Sequence, residues 1–404
     1  MKILHLLPYI PVPANFGGAL RIYHVLKYLA ENYDVTVVGF DNTGDRRTFF
    51  RAFPELQGRA HFVAHPWKPT FRKAYLIHAL LKRQSFWRSI AYSKKMQKTL
   101  NRILTREKFD MVLSEFPVMG FFDLPGEALK ILDAHNVEYD NFRRMATLDN
   151  NRILRSFFRR EYQKFYGEEL DVCKKQDAIF TTSYRDLELF HRDVPGIPKY
   201  VIPNGVDTSF FYPSDDEPEP LSMVFVGMMN YVPNYDGMQF FIDQVFPLIQ
   251  KQIPGIKIYI VGKNPPKKLA NRSSENIIVT DFVDDVRPYV WRSSVYVVPL
   301  RMGGGTRLKV LEALSMEKAV VTTHIGSEGI DVRDGDTVLI ADNAPDFANA
   351  VIRLLNDRAL RKKLGEAGRK LVTAEYEWEI ITRRVGETLS NLLQGERQPA
   401  GDVI

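Results

Sequence analysis

Short apolar stretches alternate with longer amphipathic segments along the chain. Residues 2–7 and 34–40 are dominated by apolar and β-branched side chains, which is typical of buried strands. Between them, apolar residues recur at helical spacing from about residue 19 to residue 31. A strand, a helix and a second strand in this order predict a parallel sheet with a right-handed crossover.

The same alternation restarts after residues 215–220, an acidic, proline-containing stretch without apolar periodicity. We therefore predict an α/β protein with two doubly wound domains, and 404 residues are enough for both. We predict an N-terminal domain at residues 1–207 and a linker at residues 208–220. A C-terminal domain follows at residues 221–373, and a C-terminal helix with its tail occupies residues 374–404.

The composition is that of a soluble globular protein, with 45% hydrophobic and 26% charged residues. No apolar run reaches membrane-spanning length, and the first residues lack a signal-peptide cleavage site, so we expect a cytoplasmic protein. Cys173 is the only cysteine in the sequence, which excludes a disulfide framework and a cysteine-rich metal site.

Positive charge is concentrated in residues 66–108, where Glu107 is the one acidic residue and aromatic and aliphatic side chains are interleaved with lysines and arginines. Such a surface suits an anionic membrane or a lipid-linked substrate, so we expect peripheral contact with the inner face of the cell membrane. A solvated helix face packed through its apolar side is the alternative. No recognised nucleic-acid motif accompanies the charge, so no nucleic-acid partner is expected.

A glycine-rich loop lies between a predicted strand at residues 295–298 and a predicted helix. Gly303, Gly304 and Gly305 allow a tight turn and the close approach of a ligand to the backbone. Thr306 follows them where the helical spacing begins. The order of strand, glycine loop and helix is a candidate ligand site.

Three charged residues mark the start of that helix. The N–H groups and the dipole of a helix N-terminus favour an anion, and Arg307 and Lys309 add two cations suited to phosphate. Glu312 can accept hydrogen bonds from ribose hydroxyls. We interpret the stretch as a diphosphate and ribose site, with solvent-facing charges on an ordinary connection as the alternative. The spacing fits neither a P-loop nor the dinucleotide Gly-x-Gly-x-x-Gly.

Further candidates lie in other predicted loops. Gly17 and Gly18 precede the first helix and would allow close ligand approach, although a simple helix-start turn explains them equally well. His135 follows a predicted strand, at the end where α/β sheets bind ligands, and could hydrogen-bond a substrate; a structural or solvated histidine is the alternative. Glu328 lies in the turn after a second-domain strand and is a further candidate.

These motifs carry a resemblance to the GT-B glycosyltransferases, and among them to family 4 of the retaining enzymes. The resemblance covers nearly the whole chain and is strongest over residues 221–342. It rests on the glycine pair Gly17 and Gly18, on an Ile-Pro-Asn-Gly-Val-Asp segment within residues 201–207, and on two second-domain strands at residues 225–227 and 260–262. It also rests on a Leu-Glu-Ala run at residues 311–313, on the next strand at residues 319–321, and on the last helix, which begins near Trp378.

The resemblance implies two Rossmann-like domains whose parallel sheets face a central cleft, and a C-terminal helix that crosses back to the first domain. It implies that a sugar is transferred, with retention at the anomeric carbon, from a nucleotide diphosphate sugar to a lipid-linked or saccharide acceptor in cell-surface polysaccharide synthesis. Arg307 and Lys309 would stabilise charge on the β-phosphate, Glu312 would hold the ribose, and His135 would contact the donor sugar. No cofactor and no metal are expected.

The sequence departs from the family pattern at two places. The first of two paired glutamates would stand where Gly304 stands, and the loop at residues 228–234 lacks the usual arginine and lysine. A non-catalytic nucleotide-sugar-binding assembly partner and a nucleotide-sugar epimerase on the same fold therefore remain as alternatives. A dehydrogenase is disfavoured, because no Gly-x-Gly-x-x-Gly follows the first strand of either half.

Overall fold

The computed structural model describes residues 1–41, 45–65, 77, 81, 84–148 and 152–396. The chain forms two compact units. Unit 1 comprises residues 1–202 and 382–404, and unit 2 comprises residues 203–381. Each unit is built around one parallel sheet with helices beside it.

The sheet of unit 1 has seven strands in the order β3-β2-β1-β4-β5-β6-β7, and all neighbours run parallel. Its strands are Lys2–Leu7 (β1), Asp34–Asp41 (β2), Ala60–Ala64 (β3), Met111–Glu115 (β4), Leu129–Ala134 (β5), Ala178–Thr181 (β6) and Lys199–Val201 (β7). The helices between them are Gly17–Asn32 (α1), Arg46–Ala52 (α2), Phe86–Ala91 (α3), Lys94–Arg106 (α4), Phe116–Met119 (α5), Glu138–Leu148 (α6), Arg152–Cys173 (α7) and Tyr184–Asp193 (α8).

The sheet of unit 2 has six parallel strands in the order β10-β9-β8-β11-β12-β13. They are Glu219–Val226 (β8), Lys257–Val261 (β9), Ile277–Val279 (β10), Ser293–Val298 (β11), Val320–Thr322 (β12) and Leu339–Ile340 (β13). The first five helices are Val232–Phe240 (α9), Phe246–Gln252 (α10), Lys267–Ala270 (α11), Arg287–Arg292 (α12) and Leu308–Ser315 (α13). The last three are Ala344–Asn356 (α14), Arg358–Glu375 (α15) and Trp378–Leu393 (α16).

The predicted α/β class with two doubly wound parallel sheets is confirmed. In each sheet the strand order reverses once, between β1 and β4 in unit 1 and between β8 and β11 in unit 2. At such a reversal the loops after the two strands lead away to opposite faces and leave a crevice, which is where open α/β sheets bind ligands. This topology directs attention to the loops after these four strands.

The stretch that the sequence marks as a linker, residues 208–220, falls within unit 2. Its first part packs against α12, because the Arg287 guanidinium stacks 4.0 Å from the centre of the Phe210 ring and Trp291 Nε1 donates to the Tyr212 carbonyl at 2.9 Å. Its end already belongs to β8. The strand begins with a charged residue, Glu219, whose carboxylate pairs with Lys257 at 2.9 Å. Because the prediction rests on apolar residues, it places the start of this strand a few residues too late.

The last helix, α16, begins in unit 2, and its residues from Thr382 onward are grouped with unit 1. None of the helices in the described part of the chain is both long and apolar enough to cross a membrane.

A buried ion pair links α1 to the centre of the unit 1 sheet. Arg21 on α1 and Asp133 on β5 form two hydrogen bonds, of 2.8 and 2.9 Å, and neither side chain is more than 1% exposed. Arg21 also donates to the carbonyl of Ile202 at 2.8 Å. Two charges withdrawn from water stabilise a fold only while they satisfy each other, so this pair fixes α1 over the sheet.

We predict that Arg21→Leu and Asp133→Leu each destabilise unit 1 by about 3–5 kcal/mol, because each leaves a buried charge without its partner. The double variant should lose much less, since both charges are then gone. Hydrogen exchange of peptides from β1 and β5 measures the stability of unit 1 separately from that of unit 2. Exchange in the double variant that is as fast as in the single variants would contradict the prediction.

Candidate functional site

In unit 2, the loop between β11 and α13 lies beside the strand-order reversal and contains the predicted glycines. Gly303 and Gly305 have φ angles of 119° and 71°, which side-chain-bearing residues rarely adopt. Thr306 accepts a hydrogen bond from the Asn204 backbone N–H at 3.1 Å. Gly329 packs so closely on this loop that a Cβ there would lie 2.8 Å from the Cα of Thr306. The glycine loop therefore has one defined course.

Arg307 braces this loop from within. Its Nη1 donates to the carbonyl of Gly304 at 2.7 Å, and its Nε donates to the carbonyl of Ile325 at 3.0 Å. Its Nη2 lies 3.2 Å from the carboxylate of Glu328, the other predicted site residue of this region. The side chain of Arg307 is only 7% exposed. The structure thus shows Arg307 holding the loop, and its contact with phosphate stays a prediction.

Lys309 occupies the crevice beside the same loop. Its Nζ donates to Asn234 Oδ1 at 2.6 Å and lies 4.1 Å from the centre of the Phe225 ring. Gly227, directly after β8, makes room for it, since a Cβ at Gly227 would lie 2.8 Å from that Nζ. Within the described ranges, Lys309 forms no ion pair. An ammonium group thus stands at the end of β8 without a carboxylate in contact.

The amide of Asn234 is fixed by its own surroundings. Asn234 lies in the first turn of α9, is 5% exposed, and donates from Nδ2 to the carbonyl of Met228 at 2.9 Å. Its Oδ1 is therefore the atom left to face Lys309. Asn234 thus places the ammonium group at one point of the crevice.

Burial lowers the pKa of Lys309 to about 7, which outweighs the opposite effect of Glu312. Burial also raises the pKa of Glu312 to about 7, against the effect of Lys309. Both side chains are half-buried on the first turns of α13. Their protonation therefore changes close to neutral pH. An anion bound beside Lys309 would favour its charged form and raise its pKa.

The helix that carries Lys309 begins at the site. Its N-cap residue is Arg307, whose side chain makes no capping hydrogen bond. The first N–H groups of a helix have no partners inside the helix, and its dipole favours negative charge there. The glycine loop, the helix start and Lys309 together form a site with positive potential, suited to an anionic group such as a diphosphate.

In unit 1, the predicted residue His135 follows β5 and is 5% exposed. Its Nε2 lies 2.6 Å from one carboxylate oxygen of Glu115, the last residue of β4, and its ring stacks on Phe116 with the centres 3.8 Å apart. The other oxygen of Glu115 lies 2.6 Å from Nε2 of His5 on β1. His5 and Glu115 are fully buried, so one carboxylate is shared by two imidazoles.

The predicted glycine pair lies at the start of α1. Gly18 is approached by side chains of unit 1 itself, because a Cβ there would lie 2.5 Å from Tyr9 Oη and 3.1 Å from the Phe116 ring. The structure therefore explains why Gly18 must lack a side chain. Contact of Gly17 or Gly18 with a ligand stays a prediction.

One group of residues in unit 1 has the composition of a metal site. Glu115, Asp133 and His135 offer ligand atoms that lie within 4.8 Å of one another. Their contacts do not favour this use, because Arg21 occupies both oxygens of Asp133 and the two histidines occupy both oxygens of Glu115. A cation would have to replace these bonds. That no metal is required stays a prediction.

The basic segment is described only in part, and its residues 66–76, 78–80, 82 and 83 lie outside the described residues. In α4, Met96, Leu100 and Ile103 are buried, so the helix packs through its apolar side. Its lysines and arginines are exposed. The charged face of α4 is thus open to solvent, which fits both interpretations of this segment.

The structure brings the predicted residues together in two places, one in each unit. In unit 2 it assembles Gly303, Gly304, Gly305, Thr306, Arg307, Lys309, Glu312 and Glu328 around one loop and helix start. In unit 1 it places Gly17, Gly18 and His135 near Tyr9 and Phe116.

Sequence reasoning missed Asn234, Glu115 and His5. A carboxylate ending a buried strand and a histidine inside an apolar strand were signals for the last two.

Residues 220–357 match the family model of group 1 glycosyl transferases. The matched region contains the glycine loop, Lys309 and Glu312.

Two relatives extend this match. The chain is 22% identical over 381 residues to an uncharacterized 44.6 kDa protein in the cps region of Klebsiella pneumoniae, covering 91% of this chain and 94% of that protein. It is 24% identical over 261 residues to the GDP-mannose-dependent alpha-(1-6)-phosphatidylinositol monomannoside mannosyltransferase of Mycobacterium tuberculosis, covering 59% of this chain and 65% of that enzyme. The match to the mannosyltransferase therefore spans just under two thirds of its length.

Solved structures share the fold. Sucrose-phosphate synthase from Thermosynechococcus elongatus has a TM-score of 0.71 at 17% identity, covering 98% of this chain and 100% of that one. HepE from Anabaena in complex with UDP-glucose has a TM-score of 0.66 at 13% identity, covering 97% and 100%. The fold is GT-B. The chain is a glycosyltransferase, and its residues 220–357 match the group 1 family model.

The lowered pKa of Lys309 can be tested without a substrate. At pH 7 about half of its amine is neutral, roughly a thousandfold more than for an ordinary lysine of pKa near 10.4. We predict that Lys309 is acylated first among the lysines when a dilute acylating reagent is added at pH 7. The rate should rise with pH to a midpoint near 7.

Mass spectrometry of digested protein identifies the labelled lysine, and the exposed Lys251 of α10 serves as the internal reference. Labelling of Lys309 no faster than that of Lys251 would contradict the prediction.

Proposed function

We propose that the protein is a retaining glycosyltransferase that moves a sugar from a nucleotide diphosphate sugar to a lipid-linked or saccharide acceptor in cell-surface polysaccharide synthesis. One observation carries the proposal: the ammonium group of Lys309 stands beside a glycine loop and a helix start, at the strand-order reversal of unit 2. These three features together suit the two phosphates of a nucleotide sugar.

The names of similar proteins support this class of substrate. The mycobacterial relative is named as GDP-mannose-dependent and as acting on a phosphatidylinositol monomannoside. The structure of HepE from Anabaena contains UDP-glucose. The Klebsiella relative is named for the cps region. A nucleotide sugar is named for the first two, while the sugar and the base differ between them.

The leaving group of such a reaction is a nucleoside diphosphate, so the enzyme must stabilise the charge that grows on the β-phosphate. We propose that Lys309 and the N–H groups at the start of α13 do this by fixed electrostatics. Arg307 holds the loop in place through the carbonyls of Gly304 and Ile325. Glu312 accepts hydrogen bonds from the ribose, and His135 contacts a sugar hydroxyl. No metal is needed in this scheme.

A non-catalytic sugar-nucleotide-binding partner and an epimerase would use the same phosphate site. They differ from a transferase in their need for an acceptor: only the transferase forms a new glycosidic bond. No contact in unit 2 favours either of them over transfer.

We predict that one nucleoside diphosphate raises the thermal stability of the protein in the absence of magnesium. A ligand at a hundred times its dissociation constant stabilises the folded state by about 2.7 kcal/mol, which a melting curve resolves. The panel is UDP, GDP, ADP, CMP and NAD, each with magnesium and with EDTA. Stabilisation by one diphosphate in EDTA would support the donor site and name its base.

Lys309→Met should abolish this stabilisation, since it removes the ammonium group but keeps the length of the side chain. Lys251→Met, at an exposed lysine in the last turn of α10, is the matched control and should behave like the wild type. A response to NAD alone would argue for a different enzyme class. Diphosphate binding that survives in Lys309→Met would remove Lys309 from the site.

Peripheral contact with an anionic membrane is the second part of the proposal. Lys94, Lys98 and Arg102 lie one turn apart on α4 and are exposed. The exposed side chains of Trp87 and Tyr92, 42% and 41% accessible, precede them. A row of cations beside exposed aromatic rings suits the interface of an anionic bilayer.

We predict that the protein binds phosphatidylserine-containing vesicles at low salt and that reversing all three α4 charges to glutamate weakens binding at least a hundredfold. Each basic residue near such a surface contributes about 1 kcal/mol. The matched control reverses three exposed lysines of α15, Lys362, Lys363 and Lys370. Equal losses in both triple variants, or no binding by the wild type, would refute a specific role of α4.

A further inference from the structure

Three buried side chains at the centre of the unit 1 sheet form what we call the carboxylate–imidazole triad: His5, Glu115 and His135. Both imidazoles approach Glu115 through Nε2, each at 2.6 Å and each to a different oxygen. Glu115 and His5 are fully buried, and the side chain of His135 is 4% exposed. The three residues come from β1, from β4 and from the end of β5, which are neighbours in the sheet.

The geometry determines where the protons are. Burial acts to raise the pKa of Glu115, but the hydrogen bonds from His135 and His5 outweigh it and lower the pKa to about 2. An ionised carboxylate can only accept hydrogen bonds, so Nε2 must carry a proton in both rings. Nδ1 of His5 is buried and has no hydrogen-bond partner among the described residues, which fits a lone pair on that atom.

The backbone beside the triad is strained. Phe116 directly follows Glu115 and has a φ of 63°, a conformation that bulky side chains rarely adopt. Its ring stacks on His135 at 3.8 Å. Such strain costs of order 1–3 kcal/mol and is found mostly where function requires a particular geometry. Phe116 therefore packs against one face of the His135 ring, and Glu115 holds the same ring at its Nε2 edge.

A role in stability alone explains the triad poorly. A buried charge network is often no more stabilising than apolar side chains of the same volume. Glu115 and His135 also lie at the carboxyl ends of β4 and β5, next to the strand-order reversal between β1 and β4, where ligands bind in such sheets. These two residues therefore lie where a ligand site is expected.

We propose that Glu115 is a positioning residue for glycosyl transfer, which fixes His135 in one orientation and in the tautomer with the proton on Nε2, while His5 holds the second carboxylate oxygen. The inference rests on the proposed function, in which His135 contacts a sugar hydroxyl. Phe116 keeps the ring plane in place.

The test compares the wild type with Glu115→Gln. The glutamine amide offers one acceptor and one donor, so one of the two imidazoles must lose its Nε2 proton and change tautomer. Nitrogen-15 NMR of labelled histidine reads both tautomers, and only eight histidines need to be separated. Variants His5→Gln and His135→Gln assign the two signals. These measurements need no substrate.

The kinetic readout is the transfer rate with a nucleotide sugar as donor. We expect kcat to fall about 10- to 100-fold in Glu115→Gln, the size of effect known for residues that orient metal-ligating histidines, while KM for the donor stays within about twofold. Glu161→Gln is the matched control, because Glu161 is also buried in unit 1 and accepts a hydrogen bond from a backbone N–H. It should keep the wild-type kcat.

A wild-type His135 that carries its proton on Nδ1 overturns the inference, whether or not Glu115→Gln folds. An equal fall of kcat in Glu115→Gln and Glu161→Gln overturns it as well. Failure of the proposed function looks different: the wild type itself then transfers no sugar, and the inference falls with it. A wild type that transfers sugar while His135 shows the wrong tautomer refutes the positioning role alone.

Discussion

The arrangement in unit 2 depends on the ammonium group of Lys309, which no carboxylate of the described residues contacts. Partial burial of a cation is unfavourable, and the low pKa of Lys309 is the measure of that cost. The surrounding residues make the position tolerable without neutralising it: Asn234 accepts one hydrogen bond, and the Phe225 ring lies beneath the charge. An anion that enters the crevice relieves the cost, so the free protein is already organised for binding.

This organisation needs a rigid frame, and Arg307 supplies part of it. The positive charge of Arg307 lowers the pKa of Lys309 by repulsion, in addition to the larger effect of burial. The N–H groups of Arg307 are directed at the carbonyls of Gly304 and Ile325, so the guanidinium fixes the glycine loop. One of the two predicted cations thus builds the site, and the other is available to a ligand.

The sequence was informative wherever the determining signal was local. Strand and helix periods predicted both sheets, and the loop glycines with Lys309 and Glu312 follow one another along the chain. Asn234 could not be found in this way, because it meets Lys309 across 75 residues. Glu115 and His5 meet across 110 residues, and only the strand order brings them together. Arg307 was identified as a site residue, but the direction of its side chain depends on carbonyls that no pattern reveals.

The candidate sites of the two units differ in charge: the site in unit 2 has a positive charge unmatched within the described ranges, whereas the charges beside His135 in unit 1 are matched. This difference limits what each site can bind. In unit 2, among the described residues, Lys309 forms no ion pair and the N-cap side chain makes no capping hydrogen bond, which favours an anion at the helix start. In unit 1 two buried carboxylates are already satisfied, since Arg21 matches Asp133 and two imidazoles match Glu115. A satisfied network gains little from binding another charge, and suits a neutral hydroxyl that exchanges hydrogen bonds. This contrast supports the proposed diphosphate site in unit 2 and the proposed contact of His135 with a sugar hydroxyl.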